Sequence, residues 1–166
     1  MIQAIEVPLK ESANKAGVDP GSHWEPEIIA FCCNYCAYAA ADLAGSKRMQ
    51  YPSNVRIIHA PCTVKIEMEH ILDAFEKGID GILVAGCLEG GCHFLEGNLR
   101  ARKRTDRIRS ILDEIGVGGA RLKMVNLSAA MAPVFVQRVQ EIVADVRAMG
   151  PNPLKRTENE ESAGKP

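Results

Sequence analysis

What most limits how this chain can fold is an alternation: the runs EPEIIAFCC, NVRIIHAP, GILVAG and RLKMVNL are separated by longer stretches of helical character. The runs are short, rich in isoleucine, leucine and valine, and bounded by turn residues, as buried strands are. In the last of them Leu122, Met124 or Val125, and Leu127 are the expected buried members. The intervening helices are expected over Tyr35 to Ala44, Ile66 to Lys77 and Gly97 to Ile115. Each is followed by a glycine (Gly45, Gly78, Gly116), the residue that most easily takes the left-handed conformation after a helix. In the second helix Ile71, Ala74 and Phe75 share one face, with Lys65, Glu67, Asp73 and Glu76 for the wet side. A last helix is expected from Ala130 to Met149, with Pro133 tolerated in its first turn.

The resulting βαβαβαβα order predicts a mainly parallel sheet of about four strands with helices on both faces. The expectation is a single flavodoxin-like or Rossmann-like α/β domain over residues 27–150, since 166 residues suit one core. Residues 1–26, with Lys10, Asn14, Gly17, Pro20, Gly21 and Pro26, read as an N-terminal arm. Residues 151–166 are polar and unpatterned and read as a disordered tail.

Composition narrows the partners. With 46% hydrophobic and 25% charged residues and a net charge of -1, nothing draws the chain as a whole toward nucleic acid or an anionic membrane. No secretion signal opens MIQAIEVPLKESANKAG, and no apolar run is long enough for a membrane helix. The expectation is therefore a soluble cytoplasmic protein. Glycine-rich nucleotide loops, Walker loops and nucleophile elbows are absent from the sequence.

All six cysteines lie between Cys32 and Cys92, each group at the end of an apolar run. In an open parallel sheet those ends converge on the ligand site, and in a reducing compartment clustered thiols read as metal ligands or catalysts rather than disulfides. Side chains alternate along a strand, so Cys32 and Cys33 point oppositely, and Cys32 reads as a small buried hydrophobe. Cys33 and Cys36 form a C-x-x-C pair at a helix start, where thiolate is favoured. Cys62 follows Pro61; Cys87 ends the third run, and the Gly90-Gly91 turn folds Cys92 back toward it.

Four such thiolates suit either tetrahedral zinc or an iron-sulfur cluster. Structural zinc belongs mostly to domains too small to build a core, which favours a functional cluster here. A thioredoxin-like dithiol at Cys33 and Cys36 is a further alternative, although it leaves Cys62, Cys87 and Cys92 without a role. His93 reads as a hydrogen-bonded support rather than a ligand, and His59 and His70 as structural or solvated. Arg100, Lys103, Arg104 and Arg107 form a positive helix face, either simply solvated or a docking patch for an acidic redox partner.

The strings FCCNYCAYAAADLAG, RMQYPSNVRII, PC and DGILVAGCLEGGCHFLEGN resemble the delta subunit of methyl-viologen-reducing hydrogenase, an iron-sulfur family associated with heterodisulfide reductase. Its C-N-x-C falls on Cys33, Asn34 and Cys36, its strand-two cysteine on Cys62, and its G-C-x-x-G-x-C-H on Gly86, Cys87, Gly90, Cys92 and His93. The resemblance implies a 2Fe-2S cluster on four of the five cysteines Cys33, Cys36, Cys62, Cys87 and Cys92, with Asn34 and His93 beside them. It implies a relay of electrons rather than an enzyme acting alone. The partners implied are a heterodisulfide-reductase-A-like flavin protein, carrying FAD, and a hydrogenase, formate dehydrogenase or other dehydrogenase, often in flavin-based electron-bifurcating assemblies. The chain departs from the family pattern at Leu88 and Gly91, where histidine and aspartate are common, and at Tyr35, where tryptophan is common.

Overall fold

Four strands, β1 (Ile28–Cys33), β2 (Val55–Ala60), β3 (Gly81–Gly86) and β4 (Leu122–Asn126), form one sheet in the order β2-β1-β3-β4 with every pair parallel. The computed structural model describes residues 24–155, so most of the expected N-terminal arm and residues 156–166 of the expected tail lie outside the described residues. Helices α1 (Ala39–Ser46), α2 (Met68–Glu76), α3 (Gly97–Glu114) and α4 (Ala132–Met149) cover both faces, giving the single α/β domain that the alternation predicts.

Strand alternation divides the core. Ile28, Ala30 and Cys32 of β1 and Leu83 and Ala85 of β3 pack with Ala40, Ala44, Phe135, Val139 and Ile142 from α1 and α4. Phe31, Ile82 and Val84 face the other way, against Ile71 and Phe75 of α2 and Ile108 and Leu112 of α3. All of β3 is buried, as a central parallel strand must be, whereas the edge strand β2 exposes Arg56, Ile58 and His59. In β4, Leu122 is buried and Met124 and Val125 are both half-buried, while Leu127 just beyond is fully covered.

Several boundaries shift by a residue or two, α4 starting at Ala132 rather than Ala130 among them, and three differences have a clear local reason. Helical character after β1 begins as one π-turn, Asn34–Tyr38, which sends Cys36 and Ala37 inward and leaves Tyr35 and Tyr38 exposed; such wide turns are frequent at functional sites. Gly45 does not terminate α1. The chain runs one residue further and closes through Arg48, at φ 53, with Met49 N–H bonded to Ala44 O and Arg48 N–H to Gly45 O, so a non-glycine occupies the left-handed cap position. Helix α2 starts at Met68 rather than Ile66, because a 3-10 turn at Thr63–Lys65 intervenes and Glu67 caps the helix, its N–H donating to His70 Nδ1 at 3.0 Å.

Residues 151–155, the part of the expected tail that is described, pack on the domain through Asn152. Asn152 is buried, its side chain donating to the carbonyls of Phe75 and Ile79 and its N–H to Asp80. Among the described residues, no helix is long and apolar enough to cross a membrane.

Candidate metal centre

The sheet order places the site. From β1 the chain moves outward to β2 and then returns to the other side of β1 for β3, so the direction of winding reverses between β1 and β3. Ligand sites form at this switch point, outside the carboxyl ends of the strands. The register makes those ends level: Cys33 pairs with Ala60, Cys32 with Ala85, and Gly86 with Asn126. Cys33, Cys62 and Cys87 therefore leave the sheet in one layer.

Three sulfurs form the centre of the group. Cys36 Sγ lies 3.1 Å and Cys33 Sγ 3.7 Å from Cys87 Sγ, and all three ligating atoms lie within 4.8 Å of one another. Cys62 joins from the β2 end, its sulfur and that of Cys92 both lying against Gly97, and is close enough to Cys33 to feel its charge. Cys32 is fully buried beside Ala30 under α1 and α4, with its thiol pushed up to about 12 by burial and by its neighbour Cys33.

Backbone N–H groups turn toward these sulfurs. Those of Tyr35 and Thr63 donate to Cys33, that of Val64 to Cys62 and that of His93 to Cys87. The Cys36 thiol, helped by these amides and by Cys87, brings Cys33 down to about 5 against the effect of burial. Cys36 is pushed up, first by its hydrogen bond to Cys33 and then by burial. Burial is the main cause of the upward shifts at Cys62 and Cys87. One thiolate is thus stabilised in a crowd of thiols that cannot all ionise without a compensating cation. The donor set is soft sulfur with N–H support and fits a thiolate-bound metal centre such as zinc or an iron-sulfur cluster.

The other residues singled out in the sequence lie around this group in unequal roles. The His93 ring stacks on Tyr35 at 3.8 Å and meets Phe94 edge-on, so its backbone rather than its imidazole faces the sulfurs. Asn34 Oδ1 is 2.7 Å from His59 Nε2 at the surface. Of the positive residues on α3, Lys103 and Arg107 are exposed and Arg100 pairs with Glu96 at 3.5 Å. Arg104 instead holds the loop behind Cys62, donating to Val64 O at 2.9 Å and Ile66 O at 2.7 Å.

Two asparagines were not foreseen. Asn98, buried in the first turn of α3, donates to the carbonyls of Cys87 and Leu88 at 3.0 Å each, and Asn126 at the end of β4 also donates to Cys87 O. The signal for Asn126 is its place at the carboxyl end of the fourth run; Asn98 carries no such signal, since it reads as an ordinary residue near a helix start.

A parallel α/β domain with a thiol site at its switch point is the class that fold and geometry define. Residues 28–150 match the family model described as methyl-viologen-reducing hydrogenase, delta subunit, and the chain belongs to this family. It is 50% identical over 131 residues to the iron-sulfur D subunit of the vhu F420-non-reducing hydrogenase of Methanocaldococcus jannaschii, covering 79% of this chain and 98% of that protein. It is 38% identical to the corresponding iron-sulfur D subunit of Archaeoglobus profundus, covering 80% of this chain and 97% of that one. It is also 42% identical over 133 residues to the A subunit of the ferredoxin:CoB-CoM heterodisulfide reductase of Methanosarcina mazei, covering 79% of this chain but 17% of that much longer protein.

Proposed function

We propose that this chain is an electron-transfer protein whose strand ends carry a 2Fe-2S cluster, relaying electrons within a larger complex between a hydrogenase or dehydrogenase module and a heterodisulfide-reductase-A-like flavoprotein. The observation that carries the reading is the gathering of five thiols at the switch point, in a chain whose relatives are named iron-sulfur subunits. Cys33, Cys36 and Cys87 are three ligands. Cys62 is the fourth, because it is buried and lies beside Cys33, whereas Cys92 is only half-buried and leans on Cys62. When bound, the cluster supplies reversible one-electron oxidation and reduction.

The protein's own contribution is to bury the sulfurs, to direct the N–H groups of Tyr35, Thr63, Val64 and His93 at them, and to hold Cys87 through Asn98 and Asn126. Hydrogen bonds to ligand sulfur and exclusion of water set the potential. Tyr35, Leu88, Phe94 and Leu95 are exposed around the site, an apolar rim of the kind found at protein contacts. That a module like this one makes up part of the reductase A subunit in Methanosarcina mazei supports a flavin-bearing partner, and an electron-bifurcating complex is the wider setting. The cytoplasm is the expected compartment.

The lowered Cys33 beside a raised Cys36 is also what a dithiol oxidoreductase needs. Access weighs against it: Cys33 is 1% and Cys36 5% exposed, which leaves a protein disulfide little route to either sulfur. The relay is tested by reducing the anaerobically purified chain, mixing it rapidly with a heterodisulfide reductase A flavoprotein and following flavin absorbance. Flavin bleaching matched by reoxidation of the chain supports the relay, and a flavin that stays oxidised in a stable complex contradicts it.

A further inference from the structure

The first turn of α3 meets the sulfur group at a point with no spare volume. Gly97, the first residue of the helix, is buried, and a Cβ placed on it would lie 2.6 Å from Cys62 Sγ and 3.3 Å from Cys92 Sγ. The first distance is far inside van der Waals contact between carbon and sulfur. Gly97 has no positive φ, in contrast to Gly78, Gly90, Gly116, Gly118 and Gly150. Its backbone conformation is one that any residue adopts, and what requires glycine here is the space taken by the two sulfurs.

The neighbouring residues show what that close approach serves. Asn98 is 1% exposed and directs its amide hydrogens at Cys87 O and Leu88 O, while its Oδ1 accepts the Leu99 N–H at 2.9 Å. Further along α3, Arg104 holds the carbonyls of Val64 and Ile66, immediately after Cys62. Arg102 donates to Asn126, which in turn donates to Cys87 O. One rigid helix thus grips the loop after β2 and the loop after β3. At Gly97 its backbone comes directly against the sulfur of Cys62.

We propose that Gly97 is a positioning residue for Cys62: by leaving out a side chain, it lets the start of α3 seat the Cys62 sulfur against the helix, next to Cys92. The consequence for metal binding rests on the function proposed above, whereas the steric coupling between Gly97 and Cys62 does not. A methyl group at residue 97 drives Cys62 Sγ into another rotamer or pushes the loop after β2 off the helix. In both cases the sulfur leaves the layer that it shares with Cys33 and Cys87.

A stability cycle on the metal-free, reduced chain separates the two ideas. Gly97→Ala is expected to lower the urea midpoint when Cys62 is present and to cost much less, or nothing, in the Cys62→Ala background, where the 2.6 Å collision is gone and the looser 3.3 Å contact with Cys92 remains. Equal losses in both backgrounds, or a double variant that fails to fold where Cys62→Ala folds, overturn the proposal. Gly45→Ala, at a helical position with nothing within 4 Å, calibrates the effect of an alanine that meets no neighbour. On anaerobically loaded protein, Gly97→Ala is expected to lose iron severalfold or to shift the reduction potential and the EPR spectrum of the reduced state. Unaltered iron content, potential and spectrum overturn the link from Gly97 to the metal. A wild-type chain without iron overturns the proposed function and leaves the stability cycle to decide on Gly97.

Discussion

At the amino ends of the strands, Asp80 is fully buried and accepts the N–H groups of Glu27 and Asn152, while Arg121 donates to the carbonyls of Val117, Asp80 and Pro151. Asn152 completes the network on Phe75 O and Ile79 O. At the carboxyl ends, the space is filled by five thiols whose partners are mostly each other and a few backbone amides. The first end is closed, with opposite charges and carbonyls matched, as burial of polar groups demands. The second is uncharged while its thiols keep their protons, and is matched as thiolates only when positive charge is added. On the function proposed above, one sheet keeps stability and ligand binding at opposite edges, and changes at one edge are expected to leave the other largely alone.

The largest effect expected at the carboxyl end is from Cys87→Ala, which removes the sulfur lying 3.1 Å from Cys36 and 3.7 Å from Cys33. Essentially all bound iron should be lost while the far-ultraviolet circular dichroism of the chain is kept; Cys62→Ala should behave alike. Full iron retention in either variant would break the ligand assignment. At the closed end Arg121→Ala orphans the buried carbonyls of Val117 and Asp80, and releases that of the exposed Pro151, and should cost about 3 kcal/mol of folding stability. Urea unfolding measures this, and iron content per folded chain should be unchanged; loss of iron would show that the two edges are coupled.

Cys32→Ala sharpens the contrast within β1. It deletes a single atom from the layer under α1 and α4 and should cost about 1 kcal/mol, with iron content and visible spectrum retained. The smallest effect expected is at Leu95, which is 85% exposed with φ 61, a left-handed conformation that leucine resists. Leu95→Gly should stabilise the free chain by about 0.5 kcal/mol once the added chain entropy of glycine is subtracted. If docking uses the apolar rim, the same change should weaken association with the flavoprotein, which a titration of the two proteins would detect.

Much of this was legible in the sequence because it depends on periodicity and chain order. The four apolar runs became the four strands, and the position of cysteines after three of them pointed to the carboxyl edge. Alternation distinguished Cys32, which packs under α1 and α4, from Cys33, whose sulfur joins Cys36 and Cys87. What escaped was what single residues do through space. Arg104 and Arg100 are indistinguishable as positions on a basic helix, yet one caps a loop and the other pairs with Glu96 in solvent. Gly45 reads as a helix stop, but stopping requires only a residue that can enter the left-handed region, and Arg48 does so. Asn152 lies in a segment whose composition reads as disordered, since one buried amide satisfying three backbone groups leaves no compositional trace.

The central claim is that the carboxyl edge is completed by an iron-sulfur cluster. The most direct measurement is iron and acid-labile sulfide, with the visible spectrum, on the chain purified without oxygen. About two irons and two sulfides per chain, with bleaching on reduction, are expected. Stoichiometric zinc, or a colourless chain without metal, would contradict that claim.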